Sequence, residues 1–468
     1  MAYDRDEMNK RRRPQTNRSR TSRQPQRSAG QRPASQRPQQ PSRKRETRKG
    51  GGLRMVVALE ILAVLVLAVV LLRWNPDSGK TILPDDLVQN MPTVEATEPP
   101  VEETDPVPVP TTDPDAPTTV IHIAAAGDLN VNDATVSAGR KSGGYDYTDV
   151  FLDVAPVFAK ADLAVLNFEG NLVGSPYGSD STSAPQVLAE ALDAMGVDLV
   201  QMANSFSVTH GVKGLATTLD NLRDAGLEPL GAVASAEEFQ KTKGYTVVNV
   251  RGIRIAFVAF TKGMSNLSLP AGSEDCVNLL YKDYATTYQE IDNEGINRIL
   301  ENVATEKPDL TIAMVHWGSE YNDSVTKNQE KIAKILKEGG ADVILGTHSH
   351  MLHRVDFDPV TGHLVAFSLG DFFGEAERRG TNYSVILDLE ITRDNASGQT
   401  RVTNFSYTPI YTVDSPDEGL RVVRLEQALA AYEENFVGKV SDSTYEDMQY
   451  NLTRIAERIT PKQEEEEK

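Results

Sequence analysis

The order of apolar and polar positions divides the chain before any residue is read for chemistry. Residues 1–54 carry almost no large apolar side chain, whereas residues 55–72, MVVALEILAVLVLAVVLL, form an apolar run whose one charge is Glu60. Residues 75–118 again lack periodic apolar positions. From about residue 119, apolar runs of strand length alternate with segments of helical period. The runs predict strands at 120–126, 162–167, 199–203, 246–250, 253–260, 310–315, 343–347, 363–369 and 383–390. Helical spacing predicts helices over 185–195, 212–225, 284–305 and 326–339. Strands without alternation are buried on both faces, so helices must cover the sheet. The stretch YTVVNVRGIRIAFVAF predicts a hairpin turning at Arg251-Gly252. Residues 420–458 predict one or two amphipathic helices, and no internal repeat is visible.

Five segments follow: a basic disordered tail (1–54), a transmembrane helix (55–73), a Pro/Thr/acidic stalk (74–118), an α/β domain (119–412), and C-terminal helices ending in an acidic tail (413–468). Charge sharpens this division. The first segment holds 17 Lys/Arg against 4 acids, a net +13; the whole chain carries −19, which leaves −32 for the remainder. A segment so polar cannot bury enough apolar surface to offset chain entropy. A basic tail alone would suit nucleic acid, but the apolar run that follows it is near the length needed to span a bilayer. The Lys/Arg excess on its N-terminal flank predicts a cytoplasmic N-terminus and an extracellular remainder, with Arg73 and Trp74 at the interface. The tail then sets topology and touches anionic lipid, with no nucleic acid as partner. A cleaved signal peptide is the rival, against a basic region far too long and no small-x-small site after the run. Cys276 is the only cysteine, so neither a disulfide nor a thiolate cluster is available.

The chemistry gathers where strands end. IHIAAAGD ends on Asp128, ADLAVLNFE on Glu169, VDLVQMAN on Asn204, LTIAMVH on His316, DVILGTHSH on His348 and His350, and LVAFSLGD on Asp371. In open sheets, ligands bind outside the carboxyl ends of the strands. Asp, Glu, Asn and His without thiolate suit divalent Mn, Fe or Zn. A pair of such ions about 3.5–4 Å apart clamps a phosphoester during cleavage. Residues two apart in extended backbone point the same way, so His348 and His350 are expected to reach one site together, with His353 out of phase. Three further residues are placed beside the site as candidates for contact with substrate: Asp371, Trp317 and Glu320. For Trp317 packing is the competing role, and for Glu320 it is holding His316.

With these motifs in hand, the chain resembles the CapA (PgsA) family of poly-γ-glutamate capsule biosynthesis proteins, itself similar to the calcineurin-like metallophosphoesterases. The resemblance rests on AAGD, VLNFEGNLV, MANSFSVTHGVKGLATTLDNLRDAGL, MVHWGSEY, ADVILGTHSH and FSLGDFF, over about 119–375. It implies a calcineurin-like fold of mixed sheets sandwiched by helices, with Asp128, Glu169, His316, His348 and His350 as metal ligands. Two motifs depart from the family pattern. Ser205 stands where a metal-binding asparagine is expected, Phe206 where a histidine proton donor is, and Thr209 where an aspartate is; Asp371 stands where asparagine is usual. Asn204 and His210 are the neighbours that would have to substitute, beside His316, in any catalytic role. The implied function is a metal-binding subunit of a capsule or poly-γ-glutamate synthase machine, with hydrolysis weakened by the altered third motif and metal occupancy nearer one ion than two. The alternative is an active extracellular phosphoesterase acting on a cell-envelope substrate. A module that merely binds anionic cell-wall polymer suits the acidic outer part poorly.

Overall fold

The structure, a computed structural model, describes residues 117–374, 378–415, 419–433 and 441–459. The expected basic tail and transmembrane helix lie outside the described residues, as does the stalk apart from its last two positions. Among the described residues no helix is long and apolar enough to cross a membrane.

In chain order the strands are β1 (Thr118–Asn130), β2 (Arg140–Lys141), β3 (Gly144–Tyr145), β4 (Leu163–Glu169), β5 (Leu199–Gln201), β6 (Glu228–Leu230), β7 (Tyr245–Val250), β8 (Ile253–Thr261), β9 (Leu310–His316), β10 (Val343–Thr347), β11 (Val355–Asp358), β12 (His363–Ala366), β13 (Asp371–Phe373), β14 (Tyr383–Asp394), β15 (Thr400–Ser415) and β16 (Gly419–Arg424). The result is a mixed α/β fold with two mixed sheets. The first runs β16-β15-β14-β1-β4-β5-β6, with β13 also on β1; the second runs β11-β12-β10-β9-β8-β7. Every residue of β4 and of β9 is buried, as their unalternating sequences LAVLNFE and LTIAMVH require. The helix Asn293–Glu306 covers the second sheet with Ile296, Ile299, Leu300 and Val303, one apolar stripe at helical spacing. The helix Lys327–Glu338 starts on a capping box between Thr326 and Gln329, worth about 1 kcal/mol. The hairpin of β7 and β8 turns at Arg251 and Gly252, both at positive φ (50° and 85°), as a type I′ turn needs.

Several boundaries differ from the sequence reading for local reasons. The helix expected from 284 starts at Asn293. The Asp283 carboxylate accepts from the backbone N–H groups of Gln289 (2.8 Å) and Glu290 (3.0 Å), which folds that stretch into a loop. Asp292 then caps the helix through Gly295 N–H at 3.0 Å. The strand expected over 363–369 stops at Ala366, and the Phe367 carbonyl accepts from the Trp317 indole instead. The domain boundary expected at 412 falls inside β15, and the sheet continues through β16 to Arg424 before the helices Leu425–Glu433 and Asp442–Ile459.

Candidate metal centre

The carboxyl ends of both sheets meet at one place. From the first sheet, β1 brings Asp128 and β4 brings Asn167 and Glu169. Asp128 pairs in register with Asn167 on one side and with Asp371 of β13 on the other. That close approach depends on glycine: a Cβ on Gly127 would lie 1.8 Å from the Gly370 carbonyl oxygen. From the second sheet, β9 brings His316, and β10 leads into His348 and His350. His316 pairs in register with Thr347 and Thr261.

Two groups of three donors result: Glu169, His316 and His348, and Asp128, His350 and Asp371, with the ligand atoms of each group within 4.8 Å of one another. All six side chains are buried. The His316 Nδ1 lies 3.1 Å from Glu169 Oε1, and His350 Nδ1 lies 2.7 Å from Asp371 Oδ1 and 3.9 Å from Asp128 Oδ2. The His316 and His348 rings are 4.3 Å apart, and those of His348 and His350 6.4 Å. Asn167 joins the groups, its amide donating to Asp128 Oδ1 at 2.6 Å and Glu169 Oε1 at 3.1 Å. The His348 backbone N–H donates to the other Asp128 oxygen at 2.9 Å.

The two histidines of the THSH stretch reach the centre by a different route from the one expected. Neither is extended: His348 has φ 87° and His350 φ 59°. For non-glycine residues this left-handed backbone costs on the order of 1 kcal/mol each. The turn sends the two rings into different groups, rather than into one. His353 stays outside, its Nε2 bonded to the Asn322 carbonyl at 2.8 Å.

Charge in the centre follows from burial. Desolvation pushes the Asp128 carboxyl from 3.8 up to about 6. Glu169 is pushed well above its ordinary range, first by burial and then by the Asp128 charge. His316 and His348 are held well below theirs by burial, and Lys262 adds to that for both. His350 goes the other way: burial opposes its charge, but Asp371, Glu169 and Asp128 together raise it well above the ordinary value. Without a cation Asp128 and Glu169 therefore keep their protons to higher pH than ordinary carboxyls do, and His316 and His348 stay neutral.

The residues fit a divalent ion. His348 Nδ1 is buried with no hydrogen-bond partner, an unusual cost that a metal bond would remove. Metal-ligating histidines need their second nitrogen held. His316 Nε2 is held by Ser205, whose backbone N–H donates to it at 3.2 Å and whose Oγ lies 3.0 Å away, with Nδ1 toward Glu169. Ser205, at the position expected to carry an asparagine ligand, thus orients His316. Asp371, expected to face substrate, instead supplies the third donor of the second group, fixed by Asn130 Nδ2 at 2.9 Å.

Four other candidates are placed elsewhere. Asn204 is buried and donates to the Phe168 carbonyl (2.7 Å) and to Asn167 Oδ1 (3.2 Å), so it orients Asn167 from behind. His210 is turned away, its Nε2 on the Ser181 carbonyl at 2.6 Å, so it does not replace the missing histidine. Trp317 is fully buried and bonds Phe367; it is packing, with no face for substrate. Glu320 is exposed, and the partners of His316 are Glu169, Ser205 and Thr347 instead. Sequence reasoning missed Asn167, although it lies two residues before Glu169 on the same strand face.

A family model described as "Bacterial capsule synthesis protein PGA_cap" matches residues 122–375. The chain belongs to this family. Among its relatives, the "Capsule biosynthesis protein CapA" of Bacillus anthracis is 27% identical over 269 residues, which covers 54% of this chain and 60% of that protein. The "PGA biosynthesis protein CapA" of Bacillus subtilis (strain 168) is 24% identical over 314 residues, covering 63% of this chain and 74% of the relative. The chain thus spans about three fifths of the length of the first of these and three quarters of the second. A solved structure described as a novel phosphatase, from Mycoplasma pneumoniae, is 14% identical with a TM-score of 0.39, covering 64% of this chain and 96% of that one. All six donors lie within the PGA_cap match.

Proposed function

We propose that the chain is a membrane-anchored, outward-facing, metal-binding protein of capsule or poly-γ-glutamate biosynthesis or export, working beside the subunits of a synthase. The single observation that carries the metal reading is the pair of buried three-donor groups joined by the Asn167 amide. Glu169, His316 and His348 hold one divalent ion; Asp128, His350 and Asp371 hold a second. Two ions, rather than one, follow from Asp371 serving as a ligand. The fold is read as calcineurin-like on the motif resemblance. The apolar run 55–72 with its basic flank supports the anchor and the orientation.

When bound, the ions would polarise an oxygen of an acidic or ester group. Hydrolysis in this reading is weak, because Phe206 offers no proton and His210 is committed to Ser181. The complete second donor set favours the competing reading, an active phosphoesterase. Metal content of the purified chain, measured together with turnover of a phosphodiester, separates the two. Two bound ions with negligible turnover is the expected result. Rapid metal-dependent turnover would favour the phosphoesterase, and a chain that takes up neither Mn, Fe nor Zn would refute both.

A further inference from the structure

Two cations stand at the rim of the centre, one beside each donor group. Lys262 follows β8, and its backbone N–H donates to the His316 carbonyl at 2.8 Å. Its half-buried ammonium donates to the Gly318 carbonyl at 2.8 Å and lies 4.7 Å from the centroid of the Tyr288 ring. Among the described residues it makes no ion pair. Its charge acts on His316 and His348, the histidines of the first group. Arg378 is exposed, and its guanidinium lies 3.8 Å above the centroid of the Tyr321 ring. That ring stacks on His350 of the second group, at 5.1 Å. Lys262 and Arg378 thus grip opposite ends of one short loop, 318–321, which forms a wall of the centre.

A half-buried ammonium with no carboxylate in contact, and only the charge of the exposed Glu320 acting on it, is costly to keep. Retaining it is explained if an anion completes its surroundings. The outer part of the chain is strongly acidic, so local cations at this one mouth are what would admit an acidic ligand. The exposed Glu320, on the same loop, opposes it.

We infer that Lys262 and Arg378 are anion-contacting residues that set specificity for a ligand with several acidic groups, Lys262 taking the group at the Glu169–His316–His348 end and Arg378 a neighbouring group at the Asp128–His350–Asp371 end. The inference rests on the centre being the functional site, as proposed above. Lys262 reaches the one acidic group that any anion brings to the centre. Arg378, tied through Tyr321, matters only when a second group follows.

The test is calorimetric titration of the full-length chain, in manganese and in chelator, with inorganic phosphate and with a γ-linked glutamate oligomer as probes. Lys262→Met should weaken both probes at least tenfold, and Lys262→Arg should restore most of the loss. Arg378→Met should weaken the oligomer at least fivefold and phosphate less than twofold. Glu320→Gln should tighten both. Manganese should still bind in all four variants, more tightly if anything in Lys262→Met, which removes a cation acting on His316 and His348. Wild-type affinities retained in Lys262→Met, or equal losses for the two probes in Arg378→Met, would overturn the inference. So would loss of manganese binding in Lys262→Met, which would assign the lysine to holding the loop. A wild type that binds no manganese would sink the metal reading alone, whereas a wild type that binds neither probe under either condition overturns the anion contacts.

Discussion

Replacing Asp128 with asparagine should stabilise the metal-free chain at pH 8 and destabilise the metal-loaded one. Asp128 is fully buried, and desolvation moves its carboxyl from 3.8 to about 6. A carboxyl whose folded value is raised keeps its proton longer in the folded state. The penalty is absent below about pH 4, grows as pH rises, and levels off above about 6. One unit corresponds to about 1.36 kcal/mol, so the ionised, buried Asp128 costs the wild type about 3 kcal/mol by pH 8. Asparagine avoids that charge but keeps a single acceptor. Asp128 accepts from both Asn167 (2.6 Å) and the His348 N–H (2.9 Å), so one donor is orphaned, at about 1–2 kcal/mol. The net gain at pH 8 in chelator is about 1–2 kcal/mol. Urea unfolding at pH 5 and pH 8, with chelator and with excess manganese, measures it. In manganese the order should reverse, because a metal that binds only the folded state stabilises it and the variant has lost a ligand. If the wild type loses no more stability than Asp128→Asn between the two pH values in chelator, the burial argument fails. If the order stays the same in manganese, Asp128 is no ligand.

Further outcomes follow from the same geometry. His348→Ala should abolish binding of one ion and cost about 2–3 kcal/mol in chelator for the cavity its buried ring leaves, less whatever its unpartnered Nδ1 had cost; metal analysis and melting curves check both. His353→Ala should leave metal content unchanged and cost about 1–2 kcal/mol, because it is buried and bonded to the Asn322 carbonyl. Phe206→His should raise phosphodiester turnover at least tenfold if the missing proton donor is what limits hydrolysis, which steady-state rates would show. Protease added to intact cells should remove residues beyond about 80 and spare the first 50; digestion of the basic tail instead would reverse the proposed topology.

The parts of this fold that could be read in advance are those decided by local pattern. LAVLNFE and LTIAMVH are buried at every position and showed it by lacking alternation. The Arg251-Gly252 turn was legible because Gly252, set between two apolar runs, accepts positive φ at no steric cost. The site was legible as a set of residue types at strand ends, since burial there leaves polar side chains little purpose but chemistry. Its geometry was not. His348 and His350 depart from extended backbone, so an argument from strand periodicity assigned them to one group when they serve two. Asp371 could not be placed from sequence because β13 reaches β1 across 241 residues of chain separating it from Asn130. Ser205 looked like damage to a motif, and only the distance to His316 reveals its use. The loop at 283–290 eluded the helical pattern because one aspartate side chain outcompetes the backbone for its N–H groups.

The pairing of β14 along β1 has a practical corollary for anyone handling this gene product. Register runs from Thr118↔Asp394 to Ala125↔Leu387, so the strand that ends in Asp128 has its flank closed by residues beyond 375. The stretch held in common with the PGA_cap family stops at 375. The family match and the hydrogen-bonded sheet therefore cover different lengths of chain. An excised 122–375 fragment would strip β1 of its antiparallel neighbour and present an apolar rim, Ile123 and Ala125 included, to other molecules. Such a fragment is expected to associate edge to edge rather than to bind metal, and the shortest useful truncation keeps the β14–β16 extension attached.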